Sequence, residues 1–485
     1  MNATLPTVAA GTFRATTAIV GVVLFVCCPC AAEVTAITGA QIIPMTSEAV
    51  LDDHAIVIEN GRISALCPVS VGCIPTGATV IDATGMFLIP GLIDSHNHFG
   101  GVAFDGRDET RIRTRDQHLR QYVMFGVTTV RDPAGNPLVL QARDQINRGE
   151  LFGPRIFTSW GVMDGDPPLF TGAPAFAEPE RAAEFVRMTK KFGYDFVKVY
   201  STMDTEVFDA VMAAARETGL TVAAHVPIRV PLEHALKKGL RSIEHLTGYD
   251  VACAYPDRIM RPIVEDIYQG WAWCTPGKVK VLAAMTAAYE VWNVPTLSLW
   301  DNTVTEFDRP RRATEGLRRF EHPLTRAGFD WLYSIYGPRA RAGITGTRST
   351  RLGLVKALSD AGAPVLVGTD VSATGYTVHR EMGLFVEAGL TAYQALHAAT
   401  AEAARYLRKE GEFGTLVPGA SADMVLLEAN PLVDIANTRL IRGLMIRGEW
   451  WSKQMIDAEI AAIQREYAED AARLRQLGID APAER

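Results

Sequence analysis

The chain has 485 residues, of which 48% are hydrophobic and 21% charged, and its formal net charge is −7. This length suits a barrel of about 250 residues joined to a smaller domain, and the apolar content excludes a globally disordered or fibrous chain. The surplus of acidic residues argues against a dedicated nucleic-acid-binding protein, which would carry a basic surface.

The first 32 residues have the pattern of a secretory signal peptide. Arg14 precedes an apolar run over residues 15–28, and small residues lead to an expected cleavage site after Ala32. The run is shorter than the roughly 20 residues that a membrane span needs. We therefore expect a secreted or periplasmic mature protein without a stable membrane span. A retained anchor and lipid attachment at an early cysteine are the alternatives.

Four cysteines follow the expected cleavage site, and an even number in an exported chain favours disulfide bonds. Pairing between near neighbours in the sequence is the simplest arrangement. The two other connectivities and four free thiols stay open. The near-neighbour pairs are Cys67 with Cys73 and Cys253 with Cys274.

Two β-rich ends flank an α/β middle. Residues 33–88 have the pattern of short strands with turns, including a hairpin signal at Asn60-Gly61, and a strand pattern returns in residues 411–452. Because neither end buries much surface alone, we expect the two to form one composite β-sandwich domain. Residues 453–485 are rich in Ala, Glu, Arg and Leu and predict a closing surface helix.

Residues 89–410 alternate brief apolar runs with longer helical stretches, as repeated βα units do. Eight such runs match the strand number of a closed (β/α)8 TIM barrel. Residues 249–300 are long for a barrel connection and rich in aromatic residues, which makes them a candidate lid. The predicted strands are Ile89–His98, Val127–Asp132, Arg155–Ser159, Phe196–Tyr200, Val222–Val226, Ser242–Leu246, Pro295–Leu299 and Val365–Asp370.

Side chains that can bind metal ions stand at the ends of several predicted strands. His96 and His98 share one face of the first strand, since side chains two residues apart point the same way, and such a pair can hold a metal ion. Barrel active sites form at the carboxyl ends of the strands. The further candidates at these ends are Lys198, His225, His245 and Asp370.

This constellation resembles the metal-dependent amidohydrolase superfamily, in particular its imidazolonepropionase and prolidase-like branch. The resemblance extends over nearly all of the expected mature chain. It rests on the strand-end residues above and on an ordered series of motifs: Gly61-Arg62-Ile63, Gly91 to His98, Gly126 to Asp132, Gly389-Leu390-Thr391, Ala422 to Val425 and Asn430-Pro431-Leu432.

The resemblance implies a centre of two divalent metal ions, with zinc expected and manganese, iron or cobalt as alternatives. Two imidazoles would hold each ion, and a carboxylated lysine would bridge them. Carboxylation would convert a costly buried ammonium into an anion between two cations. The first pair is His96 with His98, the second is His225 with His245, and the lysine is Lys198.

Asp370 would complete the first ion's site and carry protons. The implied nucleophile is a hydroxide shared by the two ions, whose pKa is brought down to about 7. Asp370 would take its proton and pass it to the departing nitrogen. Tyr200, two residues past Lys198 on the same face, is a candidate donor to the oxyanion, with core packing as the alternative.

Weaker candidates lie outside these strands. His379 and Glu381, in a predicted loop, could touch substrate, but a hydrogen-bonded surface pair is preferred. Arg229 could bind a substrate carboxylate, although solvent exposure is the default for a loop arginine. We interpret five arginines as a solvated helix face and four histidines as structural. The arginines are Arg309, Arg311, Arg312, Arg318 and Arg319, and the histidines are His118, His234, His322 and His397.

The sequence therefore predicts an exported metallohydrolase that cleaves the C–N amide bond of a small molecule, such as a dipeptide or an N-acyl amino acid. Cyclic amides, lactones and phosphotriesters are rival substrates. A mononuclear deaminase is disfavoured, because that branch has a glutamate shortly after the fifth-strand histidine, whereas Val226-Pro227-Ile228 follows His225 here. A non-catalytic barrel scaffold is the alternative outside enzymes, and homo-oligomer formation stays open.

Overall fold

The computed structural model describes residues 34–99, 107–169, 172–254, 270–308, 318–334, 338–371 and 374–478. The expected signal peptide and the clustered Arg309, Arg311 and Arg312 lie outside these residues. Within the described ranges, no helix has the length and apolar character needed to cross a membrane.

Short strands dominate the two β-rich ends of the described chain, and strands alternate with helices between them, in the order that the sequence pattern predicts. The strands are β1 (Thr35–Thr38), β2 (Gln41–Ile42), β3 (His54–Glu59), β4 (Arg62–Pro68), β5 (Thr79–Asp82), β6 (Phe87–Pro90), β7 (Leu92–Asp94), β8 (Val127–Asp132), β9 (Arg155–Thr158), β10 (Asp164–Gly165), β11 (Ala175–Phe176), β12 (Phe196–Val199), β13 (Thr221–Ala224), β14 (Ser242–Glu244), β15 (Trp292–Val294), β16 (Met424–Leu427), β17 (Ile441–Ile446) and β18 (Glu449–Ser452).

The helices lie mainly between the barrel strands. They are α1 (Asp108–Met124), α2 (Pro137–Asn147), α3 (Pro179–Lys191), α4 (Thr205–Thr218), α5 (Leu232–Lys237), α6 (Tyr249–Ala254), α7 (Pro276–Ala288), α8 (Leu297–Asp308), α9 (Pro323–Ser334), α10 (Pro338–Gly346), α11 (Arg348–Ala361), α12 (Tyr376–Glu387), α13 (Ala392–Ala398), α14 (Ala401–Tyr406) and α15 (Lys453–Gln476), with 3-10 turns at Val69–Val71, Gly270–Trp273 and Ile435–Arg439.

The two β-rich ends form one composite domain, as predicted. One sheet has the order β4-β3-β1-β5, and the other, β18-β17-β16-β6-β2, combines strands from both ends of the chain. Its joining pair is antiparallel, with Met424 opposite Pro90. The predicted hairpin is also present: Asn60 and Gly61 have φ angles of 52° and 74°, and Gly61 favours this left-handed conformation because it has no Cβ.

A parallel barrel lies between these ends. β7, β8 and β9 form one run of neighbouring strands, and β12 to β15 form another. The runs meet on one side where Ser159 bridges Phe196 in parallel register. All six residues of β8 are buried, as expected for parallel strands that are covered on both faces.

Residues 364–370, called the closing segment below, complete the barrel as its eighth member. Its Leu366 N–H donates to the Asn293 carbonyl of β15, and its Val367 carbonyl accepts from the N–H of Ser95, the residue after β7. The segment therefore lies between the last strand and the first, and the predicted (β/α)8 fold is confirmed.

Two strand predictions need correction. The predicted strand Pro295–Leu299 is wrong, because the barrel strand is β15 and helix α8 begins at Leu297. Between them Thr296 has a φ of 46°, which turns the chain out of the strand. The predicted strand Ile89–His98 divides at Gly91 into β6 of the composite sheet and β7 of the barrel. A Cβ at Gly91 would lie 2.2 Å from Thr128 Oγ1, so the crossing requires glycine.

The candidate lid is also revised. Residues 276–294 of that segment form α7 and β15, which belong to the barrel, while residues 255–269 lie outside the described residues. The near-neighbour disulfides are confirmed, with Cα–Cα distances of 6.6 Å for Cys67–Cys73 and 4.8 Å for Cys253–Cys274. The second disulfide joins the end of α6 to the residue that follows the 3-10 turn Gly270–Trp273, just before α7.

Helix α15 confirms the predicted closing helix and packs against α1. Ser452 caps its first turn by accepting a hydrogen bond from Met455 N–H. Arg120 of α1 lies 2.7 Å from Glu459 and 2.5 Å from Glu466. The helix therefore attaches to the barrel wall through charged side chains.

Candidate metal centre

Four imidazoles, a lysine and a carboxylate converge at the carboxyl ends of five barrel members. The histidines that follow β7, β13 and β14 enter the barrel mouth beside the lysine of β12 and the aspartate at the end of the closing segment. These are the six residues that the sequence analysis selected as metal ligands: His96, His98, Lys198, His225, His245 and Asp370.

Asp370 lies against three of the imidazoles. Its carboxylate oxygens are 3.5 Å from His98 Nε2 and 3.7 Å from His245 Nε2. His96 Nε2 is 4.0 Å away. Ligand atoms of His96, His245 and Asp370 all lie within 4.8 Å of one another, a spacing that can hold a metal ion. The fourth imidazole, His225, has its ring centroid 4.5 Å from that of His245.

Lys198 is buried among these groups, with 2% of its surface exposed. Within the part of the chain that the structure describes, its Nζ has no hydrogen-bond partner. Burial and the nearby Arg131 charge lower its pKa, the Glu244 and Asp370 charges raise it, and the net result is a pKa of about 7. An unpaired buried ammonium is costly, so this position favours the neutral amine.

Each imidazole has a second contact at Nδ1, the nitrogen that faces away from the centre. His96 Nδ1 lies 2.5 Å from Glu244 Oε2, and His98 Nδ1 lies 3.2 Å from Asp132 Oδ1. The other two contact hydroxyls, at 3.2 Å between His225 Nδ1 and Ser201 Oγ and 2.7 Å between His245 Nδ1 and Thr296 Oγ1. A hydrogen on each Nδ1 leaves the Nε2 lone pair free for a metal ion.

Glu244 is itself held by a buried arginine. Arg131 Nη2 donates to both carboxylate oxygens of Glu244 at 2.7 Å, and both side chains are at most 1% exposed. Burial raises the pKa of Glu244, but the Arg131 and Lys198 charges act against it. Together with the hydrogen bonds from Arg131 and Ser242, these charges outweigh burial and hold the pKa of Glu244 below its usual value. The carboxylate therefore stays ionised beside His96.

The protonation states of three of the four imidazoles suit metal binding. Burial, with the charge of Lys198 and neighbouring imidazoles, lowers the pKa of His96, His225 and His245 well below its usual value. Neutral imidazole is the form that binds metals. Burial also opposes protonation of His98, but its contacts with Asp132 and Asp370 outweigh it and raise its pKa.

Asp370 has two features of a proton carrier. Burial raises its pKa, against the opposing charges of His98 and Lys198, and a raised carboxyl pKa brings proton transfer closer to neutral pH. Its φ is 50°, and His245 has a φ of 58°. Such left-handed conformations are strained for these residues and occur where a structure fixes a functional side chain.

The donor set fits divalent metal ions. Neutral imidazoles and a carboxylate are ligands that zinc and related ions take, and the buried Lys198 amine lies close enough to all four imidazoles to influence their pKa values. Tyr200 is half-buried beside this set, with its ring centroid 4.0 Å from that of His225.

The weaker candidates do not join the centre. His379 and Glu381 were expected in a surface loop, but both are buried in α12. His379 contacts Thr438 Oγ1, and Glu381 accepts hydrogen bonds from backbone N–H groups at the start of α8. Arg229 is half-exposed and pairs with Asp204 at 2.7 Å. This arrangement agrees with the default expectation of solvent exposure.

The other histidines and arginines lie apart from the centre. His234 pairs with Asp209 at 2.7 Å, and the buried rings of His118 and His322 are 5.9 Å apart. His397 lies 4.0 Å from Glu402. The contacts of these histidines agree with a structural interpretation. Arg319 is exposed, as a solvated position requires.

The sequence analysis did not select the residues that contact Nδ1 of the imidazoles. A signal was available for two of them, because charged residues in a fully buried strand require a partner. Arg131-Asp132 ends the buried strand β8, and Glu244 directly precedes His245 in the buried strand β14. Ser201 and Thr296 carry no comparable signal.

Comparison with known proteins identifies the family. The model of the amidohydrolase family matches residues 87–451. The chain belongs to the amidohydrolase family. The model of the NagA composite domain matches residues 36–88, the N-terminal part of the composite domain. The expectation of a hydrolase that acts on carbon–nitrogen bonds is confirmed at this level.

Relatives of this amidohydrolase differ in their named activities. Ochratoxinase from Aspergillus niger is 22% identical over 398 residues, covering 72% of this chain and 71% of the relative. Adenine deaminase 2 from Bradyrhizobium sp. (strain ORS 278) is 29% identical over 206 residues, covering 39% of this chain and only 32% of the relative. A solved Xaa-Pro dipeptidase with bound methionine superposes with a TM-score of 0.67 at 23% identity, covering 87% and 100% of the two chains.

Proposed function

We propose that this amidohydrolase is an exported enzyme that uses two divalent metal ions, zinc by preference, to hydrolyse the amide bond of a dipeptide or an N-acyl amino acid. The observation that carries the proposal is the buried Lys198 amine, which lies near four imidazoles and Asp370 and has no hydrogen-bond partner among the residues that the structure describes. Addition of carbon dioxide to this amine, with release of one proton to solvent, would give a carbamate, an anion between two cations. Export is supported by the pattern of residues 1–32 and by the two disulfides.

The protein residues divide the work of hydrolysis. When bound, the two ions would supply Lewis acidity and lower the pKa of a water. His96, His98, His225 and His245 would hold them, with Lys198 as bridge. Asp370, close to three imidazole Nε2 atoms, is positioned to accept a proton from water and to deliver it to the amide nitrogen as the C–N bond breaks.

Tyr200 is the proposed donor to the oxyanion. It follows Lys198 by two positions, and its ring packs against that of His225 at the barrel mouth. A phenol O–H at this place would donate a hydrogen bond to the carbonyl oxygen as negative charge develops there.

The substrate class is supported by the relatives. The Xaa-Pro dipeptidase is named for a dipeptide substrate, and its structure covers nearly all of the fold described here. The adenine deaminases match a smaller part of the chain. An amide substrate is therefore preferred to a nucleobase, with cyclic amides, lactones and phosphotriesters as the alternatives that the same centre could hydrolyse.

The test is a substrate screen with metal analysis. Purified protein should contain about two divalent ions per chain and should hydrolyse members of a dipeptide and N-acyl amino acid library. Asp370→Asn should reduce turnover by about 10²- to 10⁴-fold, the usual contribution of a general acid–base group, and Lys198→Ala should also reduce the metal content. Lys238→Ala is the matched control, because that lysine pairs with Asp209 on the surface.

Several results would contradict the proposal. Turnover that survives both Lys198→Ala and Asp370→Asn would remove the mechanism. Purification without bound divalent ions would favour a binding scaffold. Preferential turnover of a lactone, phosphotriester or cyclic amide would replace the proposed substrate class.

A further inference from the structure

The four imidazoles of the centre differ in the chemistry of their outer contacts. The pair that follows β7, His96 and His98, contacts carboxylates. The pair from β13 and β14, His225 and His245, contacts hydroxyls. The division follows the proposed metal positions, since each pair would hold one ion.

The carboxylate contacts should strengthen the first pair as metal ligands. A hydrogen bond to an ionised acceptor is roughly twice as strong as one to a neutral acceptor. A carboxylate on Nδ1–H also increases the electron density that Nε2 offers to a metal. Glu244 is fixed for this role, because Arg131 donates to both of its oxygens at 2.7 Å.

Asp132 is held through one oxygen only, because its Oδ2 has no hydrogen-bond partner among the described residues. Its Oδ1 accepts the backbone N–H of Ala134 at 2.9 Å in addition to its contact with His98. Asp370 lies between the two pairs, 3.5 Å from His98 Nε2 and 3.7 Å from His245 Nε2. The difference between the two positions therefore rests on Glu244 and Asp132, the carboxylates behind the first pair.

The hydroxyl contacts orient the second pair without adding charge. Thr296 Oγ1 lies 2.7 Å from His245 Nδ1, and Ser201 Oγ lies 3.2 Å from His225 Nδ1, the same distance as in the contact between Asp132 and His98. A neutral oxygen can accept the Nδ1 hydrogen, but it polarises the ring less than a carboxylate does.

We propose that the two metal positions are unequal: the ion on His96 and His98 is held tightly, and the ion on His225 and His245 is held more weakly and exchanges. This inference rests on the proposed two-metal function. Glu244 and Asp132 act as positioning residues for the tight site, and Ser201 and Thr296 do so for the weak site.

The test is a zinc titration of the metal-free full-length protein by calorimetry with a competing chelator. The wild type should bind two ions in two resolved steps. Glu244→Gln and Asp132→Asn should weaken the tight step by about 10- to 100-fold, the usual cost of losing such a contact, and leave the weak step in place. Thr296→Val and Ser201→Ala should weaken only the other step.

The matched control is Asp423→Asn, which breaks a buried carboxylate–arginine pair with Arg155, 2.8 Å long, between barrel and composite domain. It should change neither binding step. Unfolding of each metal-free variant reports any general loss of structure.

Two indistinguishable steps in the wild type, or Glu244→Gln and Thr296→Val acting on the same step, would overturn the inference. Absence of zinc binding in the wild type would instead contradict the proposed function itself.

Discussion

Gly368 leaves room for His96 at the metal centre because it has no side chain. A Cβ added at this glycine of the closing segment would lie 2.8 Å from the Cβ of His96 and 2.4 Å from Val294 Cγ1. Distances this short force the neighbouring atoms to move. The absence of a side chain at Gly368 thus allows two neighbouring barrel members to approach closely.

We expect Gly368→Ala to lower the free energy of unfolding by about 1–3 kcal/mol, the usual cost of overpacking, and to weaken metal binding through displacement of His96. Urea unfolding and zinc titration measure the two effects. Gly353→Ala is the matched control, because an added Cβ there meets nothing within 4 Å. Because Gly353 lies in a helix, its substitution by alanine should instead raise the free energy of unfolding by up to about 1 kcal/mol. Equal effects of both substitutions would contradict the packing argument.

The sequence could predict the ligands but not the contacts behind them. His96, His98 and Lys198 are recognisable because strand alternation and strand ends place them at the mouth. The contact between His96 and Glu244 joins residues on opposite sides of the barrel, and its partner choice depends on side-chain direction. One sequence does not contain that information, although a charged residue inside a buried strand indicates that some partner exists.

At the scale of elements, the half-buried Asp470 helps to attach helix α15 to helix α1. Asp470 accepts hydrogen bonds from Gln117 at 2.9 Å and Arg113 at 3.1 Å, and it lies 3.5 Å from His322 Nε2. Burial raises the pKa of Asp470, but these hydrogen bonds outweigh burial and lower it below its usual value. The ionised form is therefore the one that stabilises the folded protein.

The sign of the pH dependence follows from this lowered pKa. The stabilisation is complete above the ordinary aspartate pKa near 4 and is lost as pH falls through the lower folded-state value. Asp470→Asn should reduce the free energy of unfolding by about 1 kcal/mol at pH 7, with a smaller difference at pH 3, measured by urea unfolding. Asp457→Asn on the exposed face of α15 should have little effect at either pH. A difference that grows in acid would refute the assignment.

Element boundaries were harder to predict than element types. The apolar residues after Pro295 suggested a strand, but they form the first turn of α8, whose start is held by Glu381 of α12. The periodicity of a short apolar run does not distinguish these outcomes. Tertiary contacts with a residue far along the chain decide them.

For the whole molecule, strand β16 joins the two cores. Leu426 packs with the composite-domain core, which includes Leu88 and Met445. Its neighbour Val425 points the other way and packs into the barrel core, as alternation along a strand requires. The sheet that contains β16 therefore belongs to both cores.

A substitution on either face of β16 should therefore destabilise the barrel and the composite domain together, so that the protein still unfolds in one transition. We expect Leu426→Ala and Val425→Ala each to lower the free energy of unfolding by about 2–4 kcal/mol, with one transition retained in calorimetry and in denaturant titration. Val433→Ala is the control, since that side chain is 82% exposed. Two separated transitions in either core variant would show that the barrel and the composite domain unfold independently.

The architecture at this scale was the most predictable part of the molecule. Ordered motifs from Gly61 to Leu432 predict both the barrel and the composite domain. The sequence predicts a strand from Val365 to Asp370, whereas the structure has only an isolated bridge between Val365 and Asn293 there. The closing segment nevertheless fills the eighth position through backbone hydrogen bonds to β15 and to the residue after β7.

The pairing of β6 with β16 also constrains the order of events during synthesis. A ribosome delivers β6 early, but its antiparallel neighbour emerges only after every barrel segment has been made. Until then one edge of β6 lacks its native neighbour, and unpaired edges are sites of aggregation. The barrel can begin to form while translation continues. The sheet that contains β6 is complete only after β16, β17 and β18 have been synthesised.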